Sequence, residues 1–275
     1  MRPCFQPLAL LAAIFVVLCA SCSGSHGRES TLVLTGSSTV APLAAEIGKR
    51  FETLHPGVRV NVQTGGSSRG IADARSGLND IGTVSRPLTP DESDLRSFTI
   101  ARDGICMIVH RSNPVAELTD RQVLQIYTGE ITDWSSVGGS ESRITVVNKA
   151  EGRATLDLFL HYFRLDSSAI KAHVIIGDNE QGIKTVAGNP DAIGYVSIGA
   201  ADYDATHGVP IKLLPMNGVP ATIENVRSGK FPLARPLNLV TDREPAGLAR
   251  QFIDFARSRA VADLIAKLYF VPVAP

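Results

Sequence analysis

The chain has 275 residues, 44% of them hydrophobic and 20% charged, and its 27 Lys and Arg balance its 27 Asp and Glu. That is the composition of a globular protein with room for one large domain or two modest ones. It excludes the strongly basic field by which nucleic acid is held, so any preference for an anion has to come from local arrangement.

The N-terminus reads as an export signal (residues 1–22). Arg2 supplies a positive start, Leu8–Ala20 is apolar throughout, and small and polar residues follow. The apolar run has the length of a signal-peptide core and is too short for a comfortable bilayer span. Leu18-Cys19-Ala20-Ser21-Cys22 resembles a bacterial lipoprotein cleavage box, with Cys22 as the acylated first residue and residues 23–30 as a polar tether. A plain secreted protein cut nearby is the alternative. Loss of Cys4 and Cys19 and acylation of Cys22 leave Cys106 in the body, inside the apolar run Gly104–Val109, where it reads as an inert buried thiol. The count excludes a disulfide framework and a Cys metal site, and the six His show no paired metal-ligand spacing.

Three strand–loop–helix units then carry hydroxyls at the turn. Thr31–Leu34 leads through Gly36-Ser37-Ser38-Thr39 into a helical run at Val40–Phe51, whose Pro42 is tolerated in a first turn. Val58, Val60 and Val62 alternate with polar residues as a half-buried strand does. They lead through Thr64-Gly65-Gly66-Ser67-Ser68-Arg69-Gly70 into a helix closed by Gly77. Ile144–Val147 leads through Asn148-Lys149-Ala150-Glu151-Gly152-Arg153-Ala154-Thr155 into the helix Leu156–Phe163. A helix start leaves backbone N–H groups unpaired and carries partial positive charge, so several aimed at one point suit a small anion. Lys149 and Arg153 could face that anion while Glu151 orients one of them.

Between these units, Asp80–Leu88 reads as a short buried strand ending at Ser85-Arg86, with Arg86 the most notable cation. Thr89-Pro90 starts a helix. Phe98–His110 is a long apolar strand, Asn113-Pro114 a crossing between lobes, and Leu118–Tyr127 a helix capped by Thr119 or Asp120. Trp134 reads as a packing anchor. Asp191–Val196 and Ile211–Leu214 are further strands, Pro232–Val240 is extended, and Leu248–Tyr269 is helical with a break at Ser258. Strands alternating with helices imply an α/β fold with largely parallel sheets, whose ligands sit beyond the carboxyl ends of the strands.

In this order, the segments resemble the phosphate-binding proteins of bacterial ABC importers, members of the two-lobed periplasmic binding proteins. The resemblance is carried by Gly36-Ser37-Ser38-Thr39 with Ala41-Pro42, Gly65-Gly66-Ser67-Ser68 with Gly70, and Asp80-Ile81-Gly82 with Ser85-Arg86. Lys149, Glu151-Gly152 and Thr155, then Ala192-Ile193-Gly194-Tyr195-Val196, complete it, so that it spans Leu32 to Pro272. It implies two α/β lobes joined by two crossings, lobe one holding residues 31–109 and 207–275 and lobe two residues 110–206. It further implies inorganic phosphate enclosed between them by Ser38, Thr39, Ser67, Ser68, Ser85, Arg86, Lys149, Glu151, Arg153, Ala154 and Thr155. On the same basis the chain is a monomeric, non-enzymatic receptor without cofactor or metal, periplasmic or at the cell surface. Its lipid anchor is then its only membrane contact and a membrane permease its partner. Loss of Arg86 would weaken binding by ~2 kcal/mol or more, as for a buried charged pair losing one member.

Three departures bear on selectivity. Lys149 stands where the family often has an Arg paired to an acid, and Arg153-Ala154-Thr155 where it often has Ser-Gly-Thr. The third loop has Ser85-Arg86 where some members place an Asp that accepts the proton of hydrogen phosphate. That acceptor would here be a hydroxyl, Glu151 or nothing, so sulfate, molybdate and tungstate remain alternative cargoes. A second alternative is a serine hydrolase. Gly66-Ser67-Ser68-Arg69-Gly70 fits G-x-S-x-G, which would make Ser68 the nucleophile and His207 the best-placed base.

Overall fold

The computed structural model describes residues 30–273, so the signal segment, Cys22 and most of the tether lie outside the described residues. The chain opens with β1 (Ser30–Gly36), α1 (Ala41–Leu54), β2 (Val58–Thr64), α2 (Ser67–Arg75) and β3 (Ile81–Val84). β2 and β3 both pair with β1 in parallel, which is what strand–helix–strand units with short loops produce. Leu32 and Leu34 of β1 bury against Leu43, Ile47 and Phe51 on one face of α1. α2 lies close against the strands because Gly70 has no side chain: a Cβ there would sit 2.8 Å from the Thr35 carbonyl oxygen and 2.9 Å from that of Thr83. The helix expected at Thr89-Pro90 is a single 3-10 turn, Pro90–Glu92, with a complete Thr89/Glu92 capping box.

β4 (Arg96–His110) is the spine of the molecule. After it come α3 (Asp120–Thr128), β5 (Thr145–Lys149), α4 (Ala154–Phe163), β6 (Val174–Ile176), α5 (Asn179–Ala187), β7 (Ala192–Ser197), α6 (Ile198–Thr206), β8 (Ile211–Leu213) and α7 (Ile223–Arg227). The chain then returns through β9 (Ala234–Thr241), α8 (Gly247–Ala256), α9 (Ala262–Lys267) and β10 (Val271–Pro272). The helical break at Ser258 is a 3-10 turn, Arg259–Val261, capped by the Ser258 hydroxyl. Trp134 is buried and donates its indole N–H to the Asp191 carbonyl at 3.0 Å, as a packing anchor does. Cys106 is a buried free thiol whose pKa burial pushes well up.

The sheet runs β2-β1-β3-β9-β4-β7-β5-β6, and β8 and β10 also pair with β4. It is mixed rather than largely parallel. The pairs β1–β2, β1–β3, β5–β6 and β5–β7 are parallel. β3–β9 and all the pairs made by β4 are antiparallel. The crossing strands are the cause, because β4 and β9 run against the strands they join.

Two of the three buried apolar clusters among the described residues are large. Ile105–Val109 and the stretch from Ile211 to Leu233 pack with the middle segment, whereas Ile100, Ala101, Leu237 and Leu239 pack with α1 and α8. Gly104 of β4 and Ala234 of β9 are register partners, so the two crossings pass side by side at small residues. At Asn113-Pro114 the asparagine is buried and accepts the Val115 N–H on its side-chain oxygen at 3.0 Å, while Pro114 is exposed. Among the described residues, no helix is long and apolar enough to cross a membrane.

Candidate functional site

β4 and β9 are each apolar near the crossing, and each carries one buried charge there. Asp103 and Arg235 are cross-strand partners in the ladder, 0% and 1% exposed. A buried charge survives only when paired and hydrogen-bonded. Arg235 Nη2 and Nε donate to Asp103 Oδ2 at 2.8 and 3.1 Å, while Asp103 Oδ1 accepts the Gly199 N–H at 3.2 Å. The carboxylate thus anchors the guanidinium to the first turn of α6.

The rest of the fork reaches hydroxyls from both lobes. Arg235 Nη1 donates to Thr155 Oγ1 at 3.0 Å and lies 3.5 Å from Ser85 Oγ; Nη2 donates to Thr39 Oγ1 at 3.1 Å. Ser67 joins through its Oγ, which accepts the Ser85 N–H at 3.2 Å. Thr39 precedes α1, Ser67 begins α2, Ser85 follows β3, and Ala154 and Thr155 begin α4, all of them buried. The three expected loops therefore converge on one guanidinium. Their helices share a second property. α3, α5, α6 and α7 have side-chain caps from Thr119, Asp178, Ser197 and Thr222. α1, α2 and α4 have none, as is also true of α8 and α9 away from the cluster. The starts of α2 and α4 thereby keep donors available to an anion, whereas at the start of α1 the Ser37 hydroxyl accepts from the Thr39 and Val40 N–H groups at 3.2 and 3.3 Å.

Lys149, at the end of β5, is 2% exposed. Its Nζ donates to the Asp178 carbonyl at 2.7 Å and to Asn179 Oδ1 at 3.2 Å; Asn179 Nδ2 in turn donates to Thr39 Oγ1 at 3.1 Å. Burial first, then the charges of Arg235 and Arg153, push the Lys149 pKa down to about 7, against the pull of Asp178. Arg153 caps α4 by position, and its Nε is buried without a hydrogen-bond partner among the described residues. Its side chain crosses Gly66: a Cβ on Gly66 would lie 2.9 Å from Arg153 Cδ and 2.5 Å from the Gly152 carbonyl oxygen. Gly66 has φ +97°, so this interlobe approach needs glycine twice over. Arg235, Lys149 and Arg153, with Asp103 and Asp178 the carboxylates that act on them and with hydroxyls and helix starts around them, make a receptacle for an anion.

Several expected residues lie elsewhere. Arg86 does not join the cluster. Its Nη1 and Nη2 hold Glu92 bidentately at 2.7 and 2.8 Å, and its Nε bonds Asp157 of α4 at 3.2 Å. Glu151 is exposed and accepts from the Ser167 hydroxyl, so it does not orient Lys149. Ser68 is exposed; its backbone N–H donates to the Gly152 carbonyl across the cleft at 3.3 Å. Ser38 is half-buried at the edge of the cluster, lining a neighbouring cavity. The hydrolase arrangement is not assembled. Among the described residues no hydrogen bond joins Ser68 to a histidine, and His207 stacks on Tyr203 at 4.1 Å and bonds the Tyr203 carbonyl oxygen. No group of three or more His, Cys, Asp or Glu among the described residues could hold a metal.

Arg235, Asp103 and Asn179 were not singled out from the sequence. Arg235 had a usable signal, a single charge within the otherwise uncharged strand Ala234–Thr241, whereas Asp103 stands next to Arg102 in β4 and its charge did not stand out. Asn179 had none, since it follows a stretch without strong periodicity.

The comparisons agree with this geometry. The chain is 27% identical to the phosphate-binding protein PstS of Bacillus subtilis over 286 residues, covering 97% of this chain and 93% of that one. Among solved structures it resembles a Clostridium perfringens substrate-binding protein assigned to phosphate ABC transport and holding bound phosphate. The identity is 32% and the TM-score 0.83, over 89% of this chain and 100% of the other. An ABC-type phosphate transport receptor from Vibrio cholerae matches at 29% identity and TM-score 0.73, over 88% and 100%. The model of the PBP superfamily domain matches residues 23–260, and the chain belongs to that family.

Proposed function

We propose that this protein is an extracytoplasmic receptor that closes two lobes on inorganic phosphate and delivers it to the permease of an ABC importer. The observation that carries this is Arg235: a buried guanidinium with one carboxylate partner, bonded to hydroxyls on both sides of the cleft. Phosphate takes its charge compensation from Arg235, Lys149 and Arg153. Its oxygens accept from Thr39, Ser67, Ser85 and Thr155 and from the backbone at Ala154, with Ser38 at the edge. Such donors are held in place before the ligand arrives and act in a water-poor cleft, where each is stronger than in bulk water. Binding is by closure, as in hinged two-lobed receptors, with β4 and the Leu233–Ala234 return as the hinge. Supporting this are the names of the relatives and the bound phosphate in one similar structure. The protein binds and releases without chemistry, acts as a monomer, and is held at the membrane by lipid on Cys22.

A second reading, a carrier of tetrahedral oxyanions in general, is favoured by the carboxylates. Glu151 bonds Ser167, and both Asp103 oxygens are engaged, so neither of these carboxylates is free to accept a P–OH proton. Isothermal titration with phosphate and then sulfate separates the two. Tight phosphate binding with sulfate ignored supports the phosphate receptor; comparable binding of both supports the general carrier; no heat with either overturns both.

A further inference from the structure

The guanidinium cluster occupies one side of a larger space. A cavity of about 660 Å³ lies beside it between the lobes, with α1 on one wall and α5 and α6 on the other. A five-atom oxyanion needs roughly 100 Å³, on a scale of about 30 Å³ per water. The cavity instead falls in the range of about 300–1,000 Å³ that holds organic ligands. Thr39 and Asn179 belong both to its lining and to the cluster, joined by the 3.1 Å hydrogen bond between them. Beyond them part of the lining is apolar, made by Pro42, Ala45, Ala200, Tyr203 and Phe270. Asp178, Glu180 and Asp204 line the same space, with Lys184 and the His207 ring near Asp204.

We propose that the site also takes phosphate monoesters and phosphonates, with the phosphoryl group in the cluster and a short organic arm in this cavity. This rests on the phosphate reading above. The arm passes between Thr39 and Asn179, and an ester oxygen accepts the Asn179 N–H that Thr39 gives up. The apolar wall suits an alkyl or aryl arm. The three carboxylates disfavour a second anionic group and accept a neutral or ammonium end.

The test is competition titration of the whole protein with inorganic phosphate, ethanolamine phosphate, phenyl phosphate and phosphoglycolate. Ethanolamine phosphate and phenyl phosphate are expected to displace phosphate with affinities within about tenfold of it, and phosphoglycolate to bind at least about tenfold more weakly than they do. Ala45→Phe and Ala200→Phe, which narrow the cavity from opposite walls, should each weaken the two monoesters about tenfold or more and leave inorganic phosphate unchanged. Phosphate bound with no monoester competing overturns this inference and leaves the phosphate receptor standing. So does an equal loss of phosphate and monoester affinity in both variants. Failure of every ligand, phosphate included, overturns the receptor reading and this inference with it.

Discussion

Two guanidiniums sit a short way apart in the cleft and have opposite surroundings. Arg86 lies in the loop after β3, with both oxygens of Glu92 and one of Asp157 on its fork. Arg235 lies at the floor, on a central strand, with Asp103 on one edge and three hydroxyls on the rest. Arg86 is neutralised by its neighbours and ties one lobe to the other. Arg235 keeps donors and net charge for something that is not protein. Burial alone does not distinguish a binding cation from a structural one; the partners do. Hydroxyls can turn toward an incoming anion, whereas a bidentate carboxylate already occupies the place an oxyanion would take.

The largest effect is expected from Arg235→Met. Phosphate affinity should fall by at least about 3 kcal/mol, more than a hundredfold. Stability should also fall by about 3–5 kcal/mol, because Asp103 is left buried and unpaired. Arg235→Met with Asp103→Leu should recover most of the stability and none of the affinity, read by denaturant titration and calorimetry. Recovery of affinity in the double variant would show that Arg235 is structural, as Arg86 is.

Gly66→Ala should cost about 1–3 kcal/mol of phosphate affinity, through strain at positive φ and the clash with the Gly152 carbonyl. Scattering should show the phosphate-bound variant more open than the parent. An unchanged affinity would mean that the lobes need not approach this closely.

Arg86→Ala should weaken binding by only about 1 kcal/mol, through the lost Asp157 contact, and lower stability by a larger amount, since Glu92 loses its partner. This revises the figure of about 2 kcal/mol or more expected when Arg86 stood in the anion's first layer of contacts. A loss of affinity equal to that of Arg235→Met, with stability intact, would erase the distinction between the two arginines.

Lys149 supplies the pH dependence. Its pKa is about 7 in the free protein. The bound anion stabilises the charged form and raises that value, so binding takes up a proton above pH 7. Affinity should then fall with rising pH by up to about 1.4 kcal/mol per unit until the bound-state pKa is reached. Lys149→Met removes this component, leaving only the titration of phosphate itself. Calorimetry of both proteins in buffers of different ionisation heat counts the proton. The smallest effect is expected at Glu151: Glu151→Gln should change affinity by no more than about 0.5 kcal/mol, as at an exposed residue.

Much of the scaffold was legible in the residues. Alternation in Val58–Gln63, the cap at Thr119 and the interruption at Ser258 each reflect chemistry within a few residues, and each is present in the fold. The hydroxyl loops were legible for the same reason, because a helix start announces itself locally through Gly, Ser and Thr. The site's cations were less so. Arg86 looked prominent because it ended a buried strand beside a proline, but Glu92 six residues on and Asp157 in the other lobe claim it. Glu151 looked like a partner for Lys149 by nearness in sequence, and the turn carries it away to Ser167.

The sequence by itself determined that strands feed helices through hydroxyl-rich turns, that the body has no disulfide framework, and that an anion is the natural occupant. Those are consequences of local propensity, residue count and the unpaired N–H groups of helix starts. Only the tertiary structure decided which cation stands among the hydroxyls. Asp103 and Arg235 are 132 positions apart and become neighbours through the antiparallel pairing of β4 with β9. Thr39 and Thr155 reach the same guanidinium from opposite lobes. Long-range register and lobe closure set those meetings, and neither leaves a mark in any short stretch of the chain.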